Sequence, residues 1–222
     1  MSRSNVGYIA REQMERITER ILSDYGFEPD DKQVRPVPIE EIVEFHYDLQ
    51  IAWETIDQLD SDGVVMAAIF PDRKLIILNE SQRRLFEEKI GTYHFTLAHE
   101  LGHWVLHAAD GAMLRSVAPA AASPYYCRSL SHKPAEEIQA DLFAGCLLMP
   151  RAMMERAVRQ LSMLGRFRLH HLYRLAECLK VSVSAVSVRL EQLGHIRMGS
   201  DGRIGRPDKE KAACHEQLTL DL

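Results

Sequence analysis

The sequence has few cysteines and no long apolar segment. Its four cysteines stand apart, and none forms the Cys-x-x-Cys pair of zinc ribbons and dithiol redox sites. Their spacing does not suit a disulfide framework either, and scattered free thiols are typical of a reducing compartment. No apolar run approaches the roughly 20 residues of a membrane-spanning helix, and the first residues lack the apolar core of a secretory signal. We therefore expect a cytoplasmic protein.

A large excess of one charge is also missing. The net charge of the 222 residues is −5, which argues against non-specific nucleic-acid binding by the whole chain. Hydrophobic residues make up 46% and charged residues 27%, as in ordinary globular proteins. The charge is uneven, however, because residues 1–150 carry 14 basic and 24 acidic side chains whereas residues 151–206 carry 11 basic and 4 acidic. This distribution predicts an acidic body with a basic appendage.

The hydrophobic pattern predicts an α+β fold. Short segments rich in β-branched residues predict a small, mostly antiparallel sheet from strands at 50–56, 63–70 and 73–79. Apolar residues at helical spacing predict helices at 8–25, from Ile39 to Leu49, and at 81–89, 91–107, 134–148 and 151–193. Residues 110–133 lack periodicity and are expected to form a long loop, either a functional lid or a mobile segment.

The segment His-Glu-Leu-Gly-His at residues 99–103 predicts a metal site. On a helix, His99 and His103 lie one turn apart on the same face, so both imidazoles can reach one zinc ion. Glu100 is rotated around the helix and is placed to act as the general base that activates a water molecule. The alternative is a surface helix with incidental histidines.

A catalytic zinc site needs a third protein ligand, and the predicted helix after the loop supplies candidates. Glu137 and Asp141 are four residues apart and share a helix face. We assign Glu137 as the third ligand, with Asp141 accepting a hydrogen bond from a ligating histidine. Glu136 is the competing ligand. Manganese or iron could also fit two histidines and a carboxylate, but zinc is the expected ion, one per chain.

Three residues of the long loop are candidates for stabilising the transition state, with an ordinary surface position as the alternative for each: Tyr125, Tyr126 and His132. His107 continues the four-residue series, and we interpret it as a helix-end or packing residue. The strand at 73–79, which ends at Asn79, is either an exposed edge that binds an extended substrate or an ordinary core strand.

Three segments of the sequence closely resemble the ImmA/IrrE family of metallo-endopeptidases: LIILN, FTLAHELGHWVLH and EIQADLFAGCLLMP. The resemblance covers about residues 35–195. The positions that match the family pattern are Asn79, Phe95, Thr96, Ala98, His99, Glu100, His103, His107, Glu137, Ala140, Asp141, Phe143, Ala144, Leu147, Leu148, Met149 and Pro150.

This resemblance implies a regulatory protease that cleaves a helix-turn-helix repressor of the Xre type in a stress-response or mobile-element circuit. Because the sequence has no N-terminal Xre-type domain and no C-terminal sensor domain, we expect the repressor to be a separate chain. One alternative is a non-catalytic zinc-containing regulator, or a toxin–antitoxin component, that binds the repressor. The other is a DNA-binding regulator with a vestigial peptidase site.

Residues 169–194 are similar to a helix-turn-helix, with a turn at Val181 and Ser182 and with Ser182 as the N-cap of the second helix. The second helix carries only Arg189 as a base-contacting cation, so packing or docking is favoured over reading DNA. The expected organisation is a zincin-like metallopeptidase domain over 1–150, a helical unit over 151–198 and a disordered tail over 199–222.

Overall fold

The structure of the protein is a computed structural model that describes residues 8–28, 34–60, 64–107, 114–118, 134–163, 168–199 and 204–205. Within these ranges the helices are α1 (Arg11–Tyr25), α2 (Ile39–Glu41, continued by a π-helical turn at Ile42–His46), α3 (Arg83–Glu88), α4 (Ile90–His107), α5 (Ala135–Leu148), α6 (Arg151–Met163), α7 (Leu169–Leu179) and α8 (Val183–Gln192). The strands there are β1 (Gln50–Glu54), β2 (Val64–Phe70), β3 (Leu75–Asn79), β4 (Leu114–Ala118), β5 (Arg197–Met198) and β6 (Ile204–Gly205).

The predicted α+β class is confirmed. Most predicted helices and strands begin and end within a few residues of their expected limits. The helix expected from Ile39 ends early, because its second part winds as a π-helix that stops at His46. Among the described helices, none has both the length and the apolar character needed to cross a bilayer.

The main sheet has the strand order β1-β3-β2-β4. β1 pairs with β3 in parallel, whereas β2 pairs antiparallel with both β3 and β4, so the sheet is mostly antiparallel as expected. β3 therefore lies inside the sheet, and its interpretation as an exposed edge for substrate is wrong. All five of its residues are buried. Its continuous apolar run without alternation is what a strand covered on both faces requires.

The side chain of Asn79, at the end of β3, is held by hydrogen bonds within the protein. Its buried amide donates hydrogen bonds to the carbonyl oxygen of Val65 and to Oδ1 of Asp57, both at 2.7 Å. Its Oδ1 accepts from the backbone N–H of Ser81 at 3.1 Å. The side chain thus joins β2 to the turns that follow β1 and β3. These hydrogen bonds give Asn79 a structural role at the end of β3.

β4 lies within the segment that was expected to be a loop. It pairs antiparallel with β2, with a register shift between Val65 and Ala67. The sequence Leu-Arg-Ser-Val-Ala has no clean two-residue alternation, so its local pattern does not predict a strand. Pairing with a neighbouring strand can form a strand where the local pattern is weak. The expectation of a loop over all of 110–133 is therefore wrong for residues 114–118.

The turn between the two helices of the helix-turn-helix-like unit, α7 and α8, lies against the amino-terminal end of α4. His94 of α4 donates from Nδ1 to the carbonyl oxygen of Lys180, 3.1 Å away, in the turn between α7 and α8. Ser182 caps α8 as expected, because its hydroxyl accepts from the N–H of Ala185 at 3.1 Å. Buried residues of α7 and α8 belong to the same hydrophobic cluster as those of α1, α4 and α5. The helix-turn-helix-like unit thus shares a core with the rest of the described fold.

Arg189 of α8 is buried with 1% of its surface exposed. Its Nη1 and Nη2 donate to the two carboxylate oxygens of Glu15 on α1, each at 2.7 Å. Its Nε donates to the carbonyl oxygen of Met149, just after α5, at 2.9 Å. A fork of this geometry holds both carboxylate oxygens at once. Arg189 was the only base-contacting cation that the sequence offered on this helix. Because its guanidinium is buried and bound to Glu15 and Met149, it cannot contact a DNA base.

Within the range 199–222, which was expected to be disordered, the described residues Ile204 and Gly205 form a strand. β5 pairs antiparallel with β6, so Ile204 and Gly205 lie beside Met198 and Arg197. Residues 200–203 and 206–222 lie outside the described ranges, and the expectation of disorder for them stays a prediction.

Replacing Gly91 by alanine is expected to cost about 1–3 kcal/mol of stability, the usual cost of overpacking. A Cβ at Gly91 would lie 2.5 Å from the backbone carbon of Val181 and 2.6 Å from the nitrogen of Ser182. Backbone cannot rotate away, so the α7–α8 turn would have to leave α4. Urea unfolding measures the change. The control is Gly145→Ala in α5, where a new Cβ meets nothing within 4 Å; equal stability of the two variants would contradict the close packing.

Candidate metal centre

α4 places both histidines and the glutamate of the HExxH motif in the interior. Its segment from Thr96 to His103 is buried throughout. His99 and His103 project from one face because they are one helical turn apart, and their Nε2 atoms lie 3.0 Å apart. Two neutral imidazole nitrogens at this distance need a proton or a cation between them, because their lone pairs otherwise repel.

α5 brings a carboxylate to the same point. Oε2 of Glu137 lies 3.3 Å from Nε2 of His99, and Oε1 lies 3.2 Å from Nε2 of His103. These three side chains form the one group of potential metal ligands found among the described residues. The structure therefore joins the three residues that sequence reasoning selected from two separate segments, and it places Glu137, not Glu136, beside both imidazoles.

The spacing of the three donor groups suits a zinc ion. Ligands that are about 2.0–2.1 Å from a tetrahedral zinc ion lie about 3.3–3.4 Å from one another. The observed separations of 3.0, 3.2 and 3.3 Å are close to the edges of such a tetrahedron. Two imidazoles and one carboxylate also form a donor set that zinc accepts while leaving a position for water or substrate.

Asp141 fixes the orientation of His99. Its Oδ1 lies 3.0 Å from Nδ1 of His99, so the Nδ1–H donates to the carboxylate and the Nε2 atom faces Glu137. This is the partner expected for a metal-ligating histidine, because such a hydrogen bond sets both the tautomer and the ring orientation. The one-turn spacing from Glu137 to Asp141 on α5 makes this arrangement possible.

The electrostatics of the site favour positive charge. Burial lowers the pKa of His99, but the carboxylates of Asp141, Glu137 and Glu100 outweigh burial and raise this pKa to about 10. Burial likewise raises the pKa of Glu137, yet hydrogen bonds from His103 and His99 lower it to about 2. The same negative potential that stabilises a proton on His99 would stabilise a divalent cation.

Glu100 is fully buried next to His99 on α4, and its charge contributes to the raised pKa of His99. The general-base role predicted for Glu100 from the sequence agrees with this burial beside a ligand and stays a prediction. The three transition-state candidates named from the loop lie outside the described residues, so their assignment stays a prediction: Tyr125, Tyr126 and His132.

A family profile described as an IrrE N-terminal-like domain, within a peptidase family, matches residues 50–191. The chain belongs to the ImmA/IrrE family. The matched range begins at β1 and extends into α8, so the family covers both the candidate ligands and the helix-turn-helix-like unit. This is a zinc metallopeptidase family that also contains non-catalytic members. This member of the ImmA/IrrE family is accordingly a metallopeptidase-like protein.

One solved structure with the same fold is a Mycobacterium tuberculosis transcriptional regulator. The two chains are 18% identical with a TM-score of 0.51, and the match covers 90% of the ImmA/IrrE chain and 55% of the regulator. The chain thus spans about half the length of that protein. A comparison with curated protein sequences finds no significant match.

Sequence reasoning missed the role of Gly102 within the HExxH motif. A Cβ at this position would lie 3.0 Å from Cδ1 of Phe143 and 3.2 Å from Cα of Ala140. The absence of a side chain therefore lets α5 approach α4 closely enough for Glu137 to reach the histidines. The signal was present in the sequence, because a small residue between the two histidines of an amphipathic helix favours close helix contact.

Replacing Gly102 by alanine is expected to weaken zinc binding about tenfold, at the lower end of the cost of disturbing a ligand's support. The added methyl group would push the backbone of Ala140, and with it Glu137, away from α4. A chelator-competition titration measures the dissociation constant. Gly145→Ala on α5, the helix that carries Ala140 and Glu137, is the control because its Cβ meets nothing within 4 Å. Unchanged zinc affinity in Gly102→Ala would show that this contact does not set the position of Glu137.

Proposed function

We propose that the protein is a zinc-dependent endopeptidase. The observation that carries this proposal is the convergence of His99, His103 and Glu137 within 3.0–3.3 Å of one another, with Glu100 buried beside them. Asp141 adds the supporting carboxylate that holds His99 in its ligating tautomer. A purely structural zinc site would have its four positions filled by protein side chains, whereas the described residues supply three.

Each residue of the site has a separate role in the proposed peptide hydrolysis. A bound zinc ion would supply Lewis acidity toward the water and the peptide carbonyl group. His99, His103 and Glu137 would hold the ion, and Asp141 would keep His99 oriented. The carboxylate of Glu100 takes a proton from the attacking water and later donates it to the leaving amine. The buried surroundings of Glu100 strengthen its interaction with these protons, because few competing water molecules reach it.

We further propose that the substrate is a helix-turn-helix repressor of the Xre type. Family membership supports a protein substrate, and the structural similarity to a transcriptional regulator agrees with a regulatory setting. The charges are complementary as well, because residues 1–150 carry an excess of acidic side chains and DNA-binding domains are basic. DNA itself is not the proposed partner, since Arg189 is buried in its ion pair with Glu15.

The test is incubation of the zinc-loaded protein with a purified Xre-type regulator encoded beside it, followed by intact-mass analysis of the fragments. We expect one or a few defined cleavage products, and none after zinc is removed by a chelator. Binding of the regulator without any fragment, in zinc-loaded samples, would support the non-catalytic alternative. A mobility-shift titration at low salt, where electrostatic binding is strongest, checks the expected absence of DNA binding.

A further inference from the structure

His107 is the last residue of α4 and lies one turn beyond His103, with the two ring centroids 5.6 Å apart. Its side chain hydrogen-bonds to the backbone of Glu136, the residue before the ligand Glu137. This bond favours the protonated imidazole, so the backbone group is the carbonyl acceptor. Nε2 of His107 is buried and has no hydrogen-bond partner among the described residues, so the ring atom that donates to Glu136 is Nδ1.

The Nδ1 atom of His103 can supply the hydrogen that Nε2 of His107 would accept. Its Nε2 faces His99 and Glu137, so the nitrogen on the other side of its ring is Nδ1. That atom is buried and has no hydrogen-bond partner in the described part of the chain. A histidine that ligates through Nε2 carries its hydrogen on Nδ1. Nδ1 of His103 is therefore a donor, whereas Nε2 of His107 is an acceptor.

We propose that His107 is a positioning residue that anchors His103 and the start of α5 together. Its Nδ1–H holds the carbonyl oxygen of Glu136, and its Nε2 accepts the Nδ1–H of His103 through one bridging water molecule. Two buried polar atoms of opposite hydrogen-bonding character on neighbouring rings are an ordinary setting for such a water. The inference rests on the proposed zinc function.

With this role for His107, each of the two histidine ligands has a hydrogen-bond acceptor for its Nδ1–H. His99 is held by Asp141 of α5 at 3.0 Å, and His103 would be held by His107 of its own helix. His107 also contacts the residue next to Glu137, so one side chain would influence two of the three ligands. This explains its position better than packing at a helix end, because packing does not require either ring nitrogen.

The test compares zinc dissociation constants of the full-length chain by chelator competition, without any substrate. His107→Phe keeps an aromatic ring but removes both nitrogens, and we expect affinity to fall about 10- to 100-fold, as for other residues that support metal ligands. His107→Asn keeps a donor near the position of Nδ1 and should recover part of the loss. His195→Phe is the matched control, because the Nε2 of His195 is likewise buried without a partner among the described residues.

Wild-type zinc affinity in His107→Phe would overturn the proposal, as would an equal loss in His195→Phe, which would indicate general destabilisation. If His107→Phe does not fold, nitrogen-15 NMR of the imidazoles in the zinc-loaded wild type decides. We expect a neutral His107 ring with its proton on Nδ1, and a proton on Nε2 would overturn the proposal. Because these measurements use no substrate, their failure is distinguishable from a lack of proteolysis.

Discussion

Replacing Glu100 by glutamine is expected to slow cleavage of a protein substrate about 100- to 10,000-fold, the usual contribution of a general base. Glutamine has nearly the same shape but cannot accept the proton of the attacking water. The three proposed ligands are untouched, so zinc content should stay at the wild-type level. The measurements are the cleavage rate under single-turnover conditions and the zinc content of the same sample.

The control for this variant is Glu12→Gln, which removes a carboxylate from an exposed position on α1 and should leave cleavage unchanged. Two results would contradict the role of Glu100. One is cleavage by Glu100→Gln at the wild-type rate. The other is loss of zinc from this variant, which would make Glu100 part of the binding site. If the repressor is inactivated equally by Glu100→Gln, the protein acts by binding and not by hydrolysis.

Replacing Arg189 by methionine is expected to cost about 3–5 kcal/mol of folding stability, because it leaves the buried carboxylate of Glu15 without its cation. The carbonyl oxygen of Met149 loses a donor in the same step. Since these groups lie on α1 and directly after α5, the loss should loosen the contact of α8 with the peptidase body. Equilibrium unfolding in urea measures the effect.

A second substitution separates the buried charge from the packing. In Glu15→Met combined with Arg189→Met the carboxylate is gone as well, and apolar replacement of a buried ion pair is often nearly neutral. The double variant should therefore regain most of the stability lost by Arg189→Met. The exposed pair of Arg84 and Glu88, 2.7 Å apart, is the comparison, and Arg84→Met should change stability by about 0–1 kcal/mol. A similarly small effect of Arg189→Met would mean that α8 is not held by this pair.

The metal centre was accessible from the sequence because its geometry is local. The four-residue spacing of His99 and His103, and the same spacing of Glu137 and Asp141, each define one face of one helix. Periodicity alone assigns such faces, and only the meeting of the two helices had to be inferred. Short β-branched segments likewise predicted β1, β2 and β3 at nearly their observed limits.

The features that the sequence did not predict depend on contacts between distant parts of the chain. Strand order is not encoded in the composition of a strand, so β3 could be mistaken for an edge although its unbroken apolar run favoured an interior position. Packing of α8 was favoured over DNA reading from the sequence, but the buried partner of Arg189 could not be predicted, because Glu15 lies near the other end of the chain. β4 escaped prediction for the same reason, since its pairing partner is β2.

The zinc content of the purified protein, measured by elemental mass spectrometry after reconstitution and removal of free metal, tests the central claim most directly. We expect about one zinc ion per wild-type chain and less than about a tenth of that in Glu137→Ala, because a site reduced to two histidines binds zinc weakly. Glu136→Ala, at the neighbouring position, should retain the ion. A wild-type chain that holds no zinc, or a Glu137→Ala chain that holds as much as wild type, would contradict the proposed metal centre.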